Sequence, residues 1–333
     1  MKVAVLGSGS WGTAIALQLA RAGHTVALWN RSEERTELMR QERRNSRYLP
    51  DYPFPASIHP ISSLKDAVLN AGLVVFVIPS QVMRDVVIEA KPFLDPEIPI
   101  CCASKGIEQG TLMTMEEVFR DVLPVYFHAQ LSFLAGPSFA KEVAGGLPTT
   151  VVVASRFTDV ADTVSGAFHA GHFRAYHTDD IVGAELGGAL KNIVAIACGI
   201  ADGYGLGLNA RAGLMTRGLA EITRLATKRG ANPLTMLGLA GMGDLVLTCT
   251  GALSRNRAVG FGLGQGKKLA QILEEPGQVA EGVITAKSAR ELAQKEGVDM
   301  PILEEVYALL YEDKDVKQAV ADLFSRDRKA ERG

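Results

Sequence analysis

The first six residues, Met1 to Leu6, are apolar except for Lys2. They run straight into Gly7-Ser8-Gly9-Ser10-Trp11-Gly12 and then into the helix-like stretch Thr13 to Arg21. A strand that turns through a G-x-G-x-x-G loop into a helix leaves the fold little freedom. Gly7 permits the tight turn, Gly9 lets the backbone approach a pyrophosphate, and Gly12 allows the helix to pack closely on the strand. The free N–H groups at the helix start then face the anion. By itself the motif is weak, because a chain with 34 glycines can produce it in any loop. The strand before it, the helix after it and a second strand from Thr25 to Trp29 supply the setting that a dinucleotide site requires.

At 333 residues, 47% of them hydrophobic, the chain has an ample core and a length that suggests about two domains. Lys and Arg number 35 against 37 Asp and Glu, a net charge of −2, so no global attraction to nucleic acid or anionic membrane is expected. Any phosphate must be held by a local cluster. Cys101, Cys102, Cys198 and Cys249 show neither a C-x-x-C pair nor a framework spacing, which fits reduced, buried thiols of a cytoplasmic protein. Lys2 followed by an apolar run imitates a signal peptide, but Gly7, Gly9 and Gly12 break that run. No uninterrupted apolar run reaches the ~20 residues of a membrane span.

Apolar strands alternate with amphipathic helices through the first half, with later strands expected at Leu73 to Ile78, Ile98 to Ala103, Leu131 to Ala135, Thr149 to Ala154 and Phe173 to Tyr176. This alternation predicts an α/β fold with a Rossmann-like, parallel, doubly wound sheet. Asn45 to Pro60 holds Pro50, Pro53, Pro55 and Pro60 and reads as a loop, either beside the cofactor or on the surface. From Asp179 onward helical periodicity dominates. Helices are expected over Ile181 to Ala201, Ala210 to Arg229, Pro233 to Leu237, Ser254 to Gly264, Ala286 to Glu296 and Pro301 to Tyr311. A Rossmann-like domain over 1–186 and an all-helical domain over 187–333 follow, with the boundary near Gly187 and a charged tail from Arg326 to Gly333 expected to fray.

Lys191 lies among small and apolar neighbours, Gly187 to Ala195, where a lysine either snorkels to water or serves a buried polar site with its pKa depressed toward neutrality. Gly238 to Leu245 reads as a glycine-rich turn presenting Asp244. Beyond it Ser254 can cap a helix whose first turn holds Arg255 and Asn256, either a phosphate seat or an ordinary capped surface helix. Lys105, in Ala103-Ser104-Lys105-Gly106, and Ser138, in Gly136-Pro137-Ser138-Phe139-Ala140, each follow a strand at the carboxyl edge of the sheet, where ligands of open α/β sheets bind. Each also fits a plain surface turn. The second strand ends in Asn30-Arg31-Ser32, with no acid for a ribose 2′-hydroxyl and an arginine suited to a 2′-phosphate, so NADP(H) is expected to serve at least as well as NAD(H). His169 and His172 have no companions that would complete a metal site, and no metal is expected.

Taken together, these blocks resemble the bacterial type of NAD(P)-dependent glycerol-3-phosphate dehydrogenase. The resemblance runs through the Gly7 loop, Ala103 to Gly106, Gly136 to Ala140, Leu190-Lys191-Asn192 with Asn209-Ala210-Arg211-Ala212-Gly213, Gly241 to Asp244 with Ser254-Arg255-Asn256, and Gly277-Gln278-Val279-Ala280-Glu281-Gly282. It implies reversible reduction of dihydroxyacetone phosphate to sn-glycerol 3-phosphate, a phospholipid precursor. The lysine matching Lys191 is the family's proton acceptor in the oxidative direction; Asp244 is expected to orient its ammonium and Lys105 to steady the developing negative oxygen. Lys105, Gly136, Ser138, Asp244, Ser254, Arg255 and Asn256 match substrate positions; Ser10, Trp11, Arg31, Lys105, Ala140, Arg255, Val279 and Glu281 match cofactor positions. With the apolar helices of the second half, the resemblance also suggests a homodimer. The rival readings are a two-domain β-hydroxyacid-type dehydrogenase and a catalytically silent nucleotide sensor.

Overall fold

In a computed structural model, residues 1–274 and 280–325 are described. Gly277, Gln278, Val279 and the tail from Arg326 lie outside them. Among the described residues ten strands form: β1 Lys2–Leu6, β2 Thr25–Trp29, β3 Arg44–Asn45, β4 Leu49–Pro53, β5 Ile58–Ile61, β6 Leu73–Phe76, β7 Ile100–Cys102, β8 Leu131–Ala135, β9 Thr149–Ala154 and β10 Phe173–Thr178. Along β1, Val3 and Val5 face one buried apolar layer and Ala4 and Leu6 the other. Burial on both faces explains why the strand is a continuous apolar run rather than an alternating one.

Eight strands make one sheet in the order β10-β9-β8-β7-β6-β1-β2-β5. The section β5-β2-β1-β6-β7-β8 is the doubly wound dinucleotide order, in which the chain reverses direction across the sheet between β1 and β6. Pairing is parallel except between β8 and β9, where Leu134 faces Val153 in an antiparallel register. The sheet is therefore mixed, a correction to the wholly parallel one expected. Helices α1 Ser10–Arg21, α2 Glu33–Glu42, α3 Leu64–Val68, α4 Met83–Ala90, α5 Met115–Val122, α6 Ala140–Ala144 and α7 Thr158–Phe168 accompany it.

The proline-rich stretch is also more ordered than expected. β3 and β4 form a small hairpin, and β5 pairs with β2 as the edge strand, Leu28 beside Pro60. An edge strand leaves one row of backbone groups unpaired, so it tolerates a residue without an N–H. The hairpin is pinned to the glycine loop: Asn45 Nδ2 donates to Ser8 O at 2.8 Å and to Thr13 Oγ1 at 2.9 Å.

The second half is helical: α8 Ile181–Tyr204, α9 Gly207–Lys228, α10 Asp244–Thr250, α11 Arg255–Gly264, α12 Leu269–Glu274, α13 Glu281–Glu296, α14 Pro301–Tyr311 and α15 Val316–Ser325. α8 is its axis. Asp180 caps it by accepting the Gly183 N–H at 2.9 Å, and Gly205 ends it in the left-handed region at φ 85°. Such a side-chain cap is worth ~1 kcal/mol. Gly187 lies two turns inside α8 rather than between elements. Among the described residues α8 is the one helix long and apolar enough to cross a bilayer, and 89% of its most apolar window is buried in the protein, as befits a core helix. Glycines on both helices let α11 lie against it, since a Cβ on Gly199 of α8 would meet the Arg257 carbonyl and one on Gly260 of α11 the Ile196 carbonyl.

Candidate active site

The glycine loop is built as the sequence requires. Gly7 has φ 112°, and a Cβ there would drive into the Val77 carbonyl at the end of β6. A Cβ on Gly12 would drive into the Gly7 carbonyl, so α1 can approach β1 only because that position is bare. Gly9, the N-cap of α1, has open space where its side chain would be. A bare, uncrowded N-cap beside first-turn N–H groups suits a pyrophosphate. Ser10 and Trp11 open the helix, and Trp11 Nε1 donates to Ala103 O at 3.0 Å, tying the loop to the strand end that carries Lys105.

Three predicted residues from distant parts of the chain converge beside this edge. Asp244, 1% exposed, receives the Lys191 ammonium on Oδ1 at 2.6 Å and the Lys105 ammonium on Oδ2 at 2.7 Å. Lys191 projects from the middle of α8 and does not snorkel. Its second hydrogen goes to Thr248 Oγ1 at 2.6 Å, and that hydroxyl donates to the Asp244 carbonyl one turn earlier, also at 2.6 Å. Lys105 makes a second, longer bond of 3.4 Å to Gly136 O, which also accepts from Ser138 Oγ at 3.0 Å. An ammonium group has three hydrogens. Each lysine thus keeps one with no acceptor among the described residues.

Burial pushes the Lys191 amine down from its ordinary 10.5 to about 8, Lys105 adds to the depression, and Asp244 opposes it. The amine is therefore poised to gain or lose a proton near neutrality. Glu281, at the start of α13, belongs to the same electrostatic neighbourhood. Burial raises its carboxyl pKa, while the charges of Arg255, Lys105 and Lys191 hold it back.

The first turn of α11 completes the arrangement. Ser254 caps it by accepting the Arg257 N–H at 3.2 Å, leaving the Arg255 and Asn256 N–H groups without intrahelical acceptors. Arg255 is exposed and makes no ion pair with a described residue. The Asn256 side chain is largely committed elsewhere: Nδ2 donates to Asn192 Oδ1 and Oδ1 accepts from Gly282 N, both at 2.9 Å. It joins α8, α11 and α13, which leaves its backbone N–H and one amide hydrogen for a ligand. Thr248 and Asn192 are the contributors that sequence reasoning gave no role. The signal was their spacing, one turn after Asp244 and next to Lys191.

Of the remaining predicted positions, Ala140 begins α6, and Arg31 stands exposed after β2 without contact to the lysine pair. Val279 lies outside the described residues. Among those described, no group of three His, Cys, Asp or Glu side chains is gathered for a metal. A cavity of about 1620 Å³ lies elsewhere among the described residues, between α8, α9, α14 and α15, and neither lysine nor Asp244 lines it.

Comparison with known proteins places the chain in a family. Residues 2–161 match the family model described as NAD-dependent glycerol-3-phosphate dehydrogenase N-terminus, and residues 180–321 the one described as its C-terminus. The chain is 54% identical over 331 residues to glycerol-3-phosphate dehydrogenase [NAD(P)+] of Anaeromyxobacter sp. (strain K), covering 99% of this chain and 100% of that one. Its identity to the enzyme of that name from Geobacter metallireducens is 53% over 332 residues, covering 100% and 99%. The crystal structure of glycerol-3-phosphate dehydrogenase from Coxiella burnetii superposes with a TM-score of 0.93 at 41% identity, covering 98% and 99%. The chain belongs to the NAD-dependent glycerol-3-phosphate dehydrogenase family.

Proposed function

We propose that this chain reduces dihydroxyacetone phosphate reversibly to sn-glycerol 3-phosphate with NADPH or NADH, supplying a glycerophospholipid precursor. The observation that carries the reading is the single buried carboxylate of Asp244 gripped by Lys191 and Lys105 at 2.6 and 2.7 Å. A nicotinamide dinucleotide seated along Gly7, Gly9, Ser10, Trp11 and Gly12 would supply the hydride to the central carbon.

The residues of the chain do the rest. Lys191 holds a proton below about pH 8 and delivers its free hydrogen to the oxygen of that carbon; in the oxidative direction the neutral amine takes it back. Lys105 steadies the oxygen as negative charge develops. Asp244 orients both ammonium groups and keeps Lys191 from losing its proton too early. Thr248 fixes the remaining rotation of Lys191. Arg255 and the first-turn N–H groups of α11 take the phosphate, where a charge-assisted hydrogen bond is worth ~1.5–3 kcal/mol. Gly136 and Ser138 form the wall beside Lys105.

Arg31 is assigned to the 2′-phosphate of NADPH, and Ala140, Val279 and Glu281 to the cofactor side. The division of the chain is drawn at Asp179–Asp180, where α8 is capped, rather than at Gly187. A homodimer is part of the same reading, as is a cytoplasmic location, which four buried free thiols support. The test is NADPH absorbance followed with dihydroxyacetone phosphate and with a panel of carboxylated ketones. Turnover confined to the phosphate ester is expected, and preference for a carboxylated ketone would replace this reading with that of a β-hydroxyacid dehydrogenase.

A further inference from the structure

Asn209-Ala210-Arg211-Ala212-Gly213 has no part in the site described above, yet Arg211 reaches toward it. From 207 to 217 no residue of α9 is buried. Arg211 Nη1 nevertheless donates to Asp202 on α8, at 3.1 Å to Oδ2 and 3.4 Å to Oδ1. Asp202 Oδ2 also accepts from Arg257 of α11, from Nε at 3.0 Å and Nη2 at 2.7 Å. The carboxylate is 11% exposed and each arginine about a quarter exposed, so the cluster is only partly screened by water.

Arg257 is held twice. Its N–H caps onto Ser254 and its guanidinium is clamped to α8 by Asp202, while its carbonyl lies against Gly199. The two residues before it are Arg255 and Asn256. A first turn held at its third residue cannot roll about the helix axis, and that roll decides where Arg255 and the free N–H groups point.

We infer that Asp202 is a positioning residue for substrate: with Arg211 and Arg257 it forms a clamp that sets the orientation of the phosphate-binding turn of α11. Asp202 touches neither substrate nor cofactor in this account. Its effect is transmitted through Arg257 to Arg255, and the inference rests on the phosphate seat proposed above. Because the clamp acts on the phosphate end, it bears on binding of the phosphate ester and not on the proton transfer at Lys191. A role in packing alone would weaken turnover of every substrate alike.

The full-length protein carrying Asp202→Asn, Asp202→Glu or Arg255→Ala tests this with dihydroxyacetone phosphate and with dihydroxyacetone, which lacks the phosphate. Misplacement of a binding group by a fraction of an ångström predicts a KM for the ester raised about tenfold in Asp202→Asn, with kcat within about twofold of wild type. Here kcat/KM for dihydroxyacetone should be unchanged, Asp202→Glu should restore KM, and adding Asp202→Asn to Arg255→Ala should cost nothing further. Equal losses for both substrates, or losses that add to those of Arg255→Ala, overturn the inference. An unchanged KM in Arg255→Ala removes the phosphate seat itself, a separate failure. Should Asp202→Asn not fold, Arg211→Gln should raise KM for the ester about threefold, as for a partly exposed pair. No change there also overturns the clamp.

Discussion

Replacing Asp244 with asparagine removes one charge and little volume, and the expected consequence is a shift in the pH dependence of turnover. In the wild type, burial and Lys105 push the Lys191 amine down while Asp244, at 2.6 Å, holds it up, with the balance at about 8. An opposite charge within hydrogen-bond range moves a pKa by ~1–3 units, so the asparagine variant should bring Lys191 to ~5–7. Ketone reduction needs the charged amine, so it proceeds below the Lys191 pKa and fades above it. At pH 7 the charged fraction falls from about nine-tenths to between about a half and a hundredth, which lowers kcat roughly two- to ninety-fold. Steady-state NADPH oxidation with dihydroxyacetone phosphate from pH 5.5 to 9 reads this directly. The falling limb should sit near 8 in the wild type and ~1–3 units lower in the variant, and in the oxidative direction the rising limb should move the same way. A falling limb still near 8 in a folded Asp244→Asn protein would show that Lys191 does not own it, and the mechanism would have to be rebuilt.

Other outcomes are equally open to measurement. Arg31→Asp should weaken NADPH far more than NADH in fluorescence titrations, and equal losses would remove the arginine from the 2′-phosphate. Gly12→Ala sets a Cβ against the Gly7 carbonyl, so it should lower thermal stability by ~1–3 kcal/mol and abolish dinucleotide binding; normal NADPH affinity would contradict the loop geometry. Glu221 of α9 is buried against the start of α14, accepting from Ile302 N at 2.8 Å, and burial pushes its carboxyl up from 4.5 to about 7. The folded state then binds more protons than the unfolded chain between those values, so stability should fall as pH rises through that window. Calorimetry of Glu221→Gln should show a flatter dependence there, and an unchanged slope would assign it to another group.

Much of the amino-terminal architecture could be read directly from the residues. The glycine loop is readable because its requirements are local: a turn at Gly7, a bare approach at Gly12 and an open cap at Gly9 act within one strand-turn-helix unit. The reversed direction of β9 is not readable in the same way. Thr149 to Ala154 is buried almost throughout, and a strand covered on both faces has no pattern that distinguishes parallel from antiparallel pairing. β5 was hidden by Pro60, which argues against a strand unless the strand is known to lie at an edge. In the site, Lys105, Lys191 and Asp244 were each named from their surroundings, but a meeting across 139 and 53 residues of chain is a property of the tertiary fold. Asn256 shows the same limit from the other side. Its position at a helix start was legible, while the commitment of its amide to Asn192 and Gly282 depends on α13, whose first turn was placed five residues late.

The measurement that bears most directly on the account is turnover of Lys191→Met set beside its affinity for NADPH. Loss of the proton-transfer group predicts a fall in kcat for dihydroxyacetone phosphate of ~100- to 10,000-fold, with the NADPH dissociation constant from fluorescence titration unchanged. A folded variant that keeps most of its turnover would contradict the claim that the buried amine on α8 moves the proton.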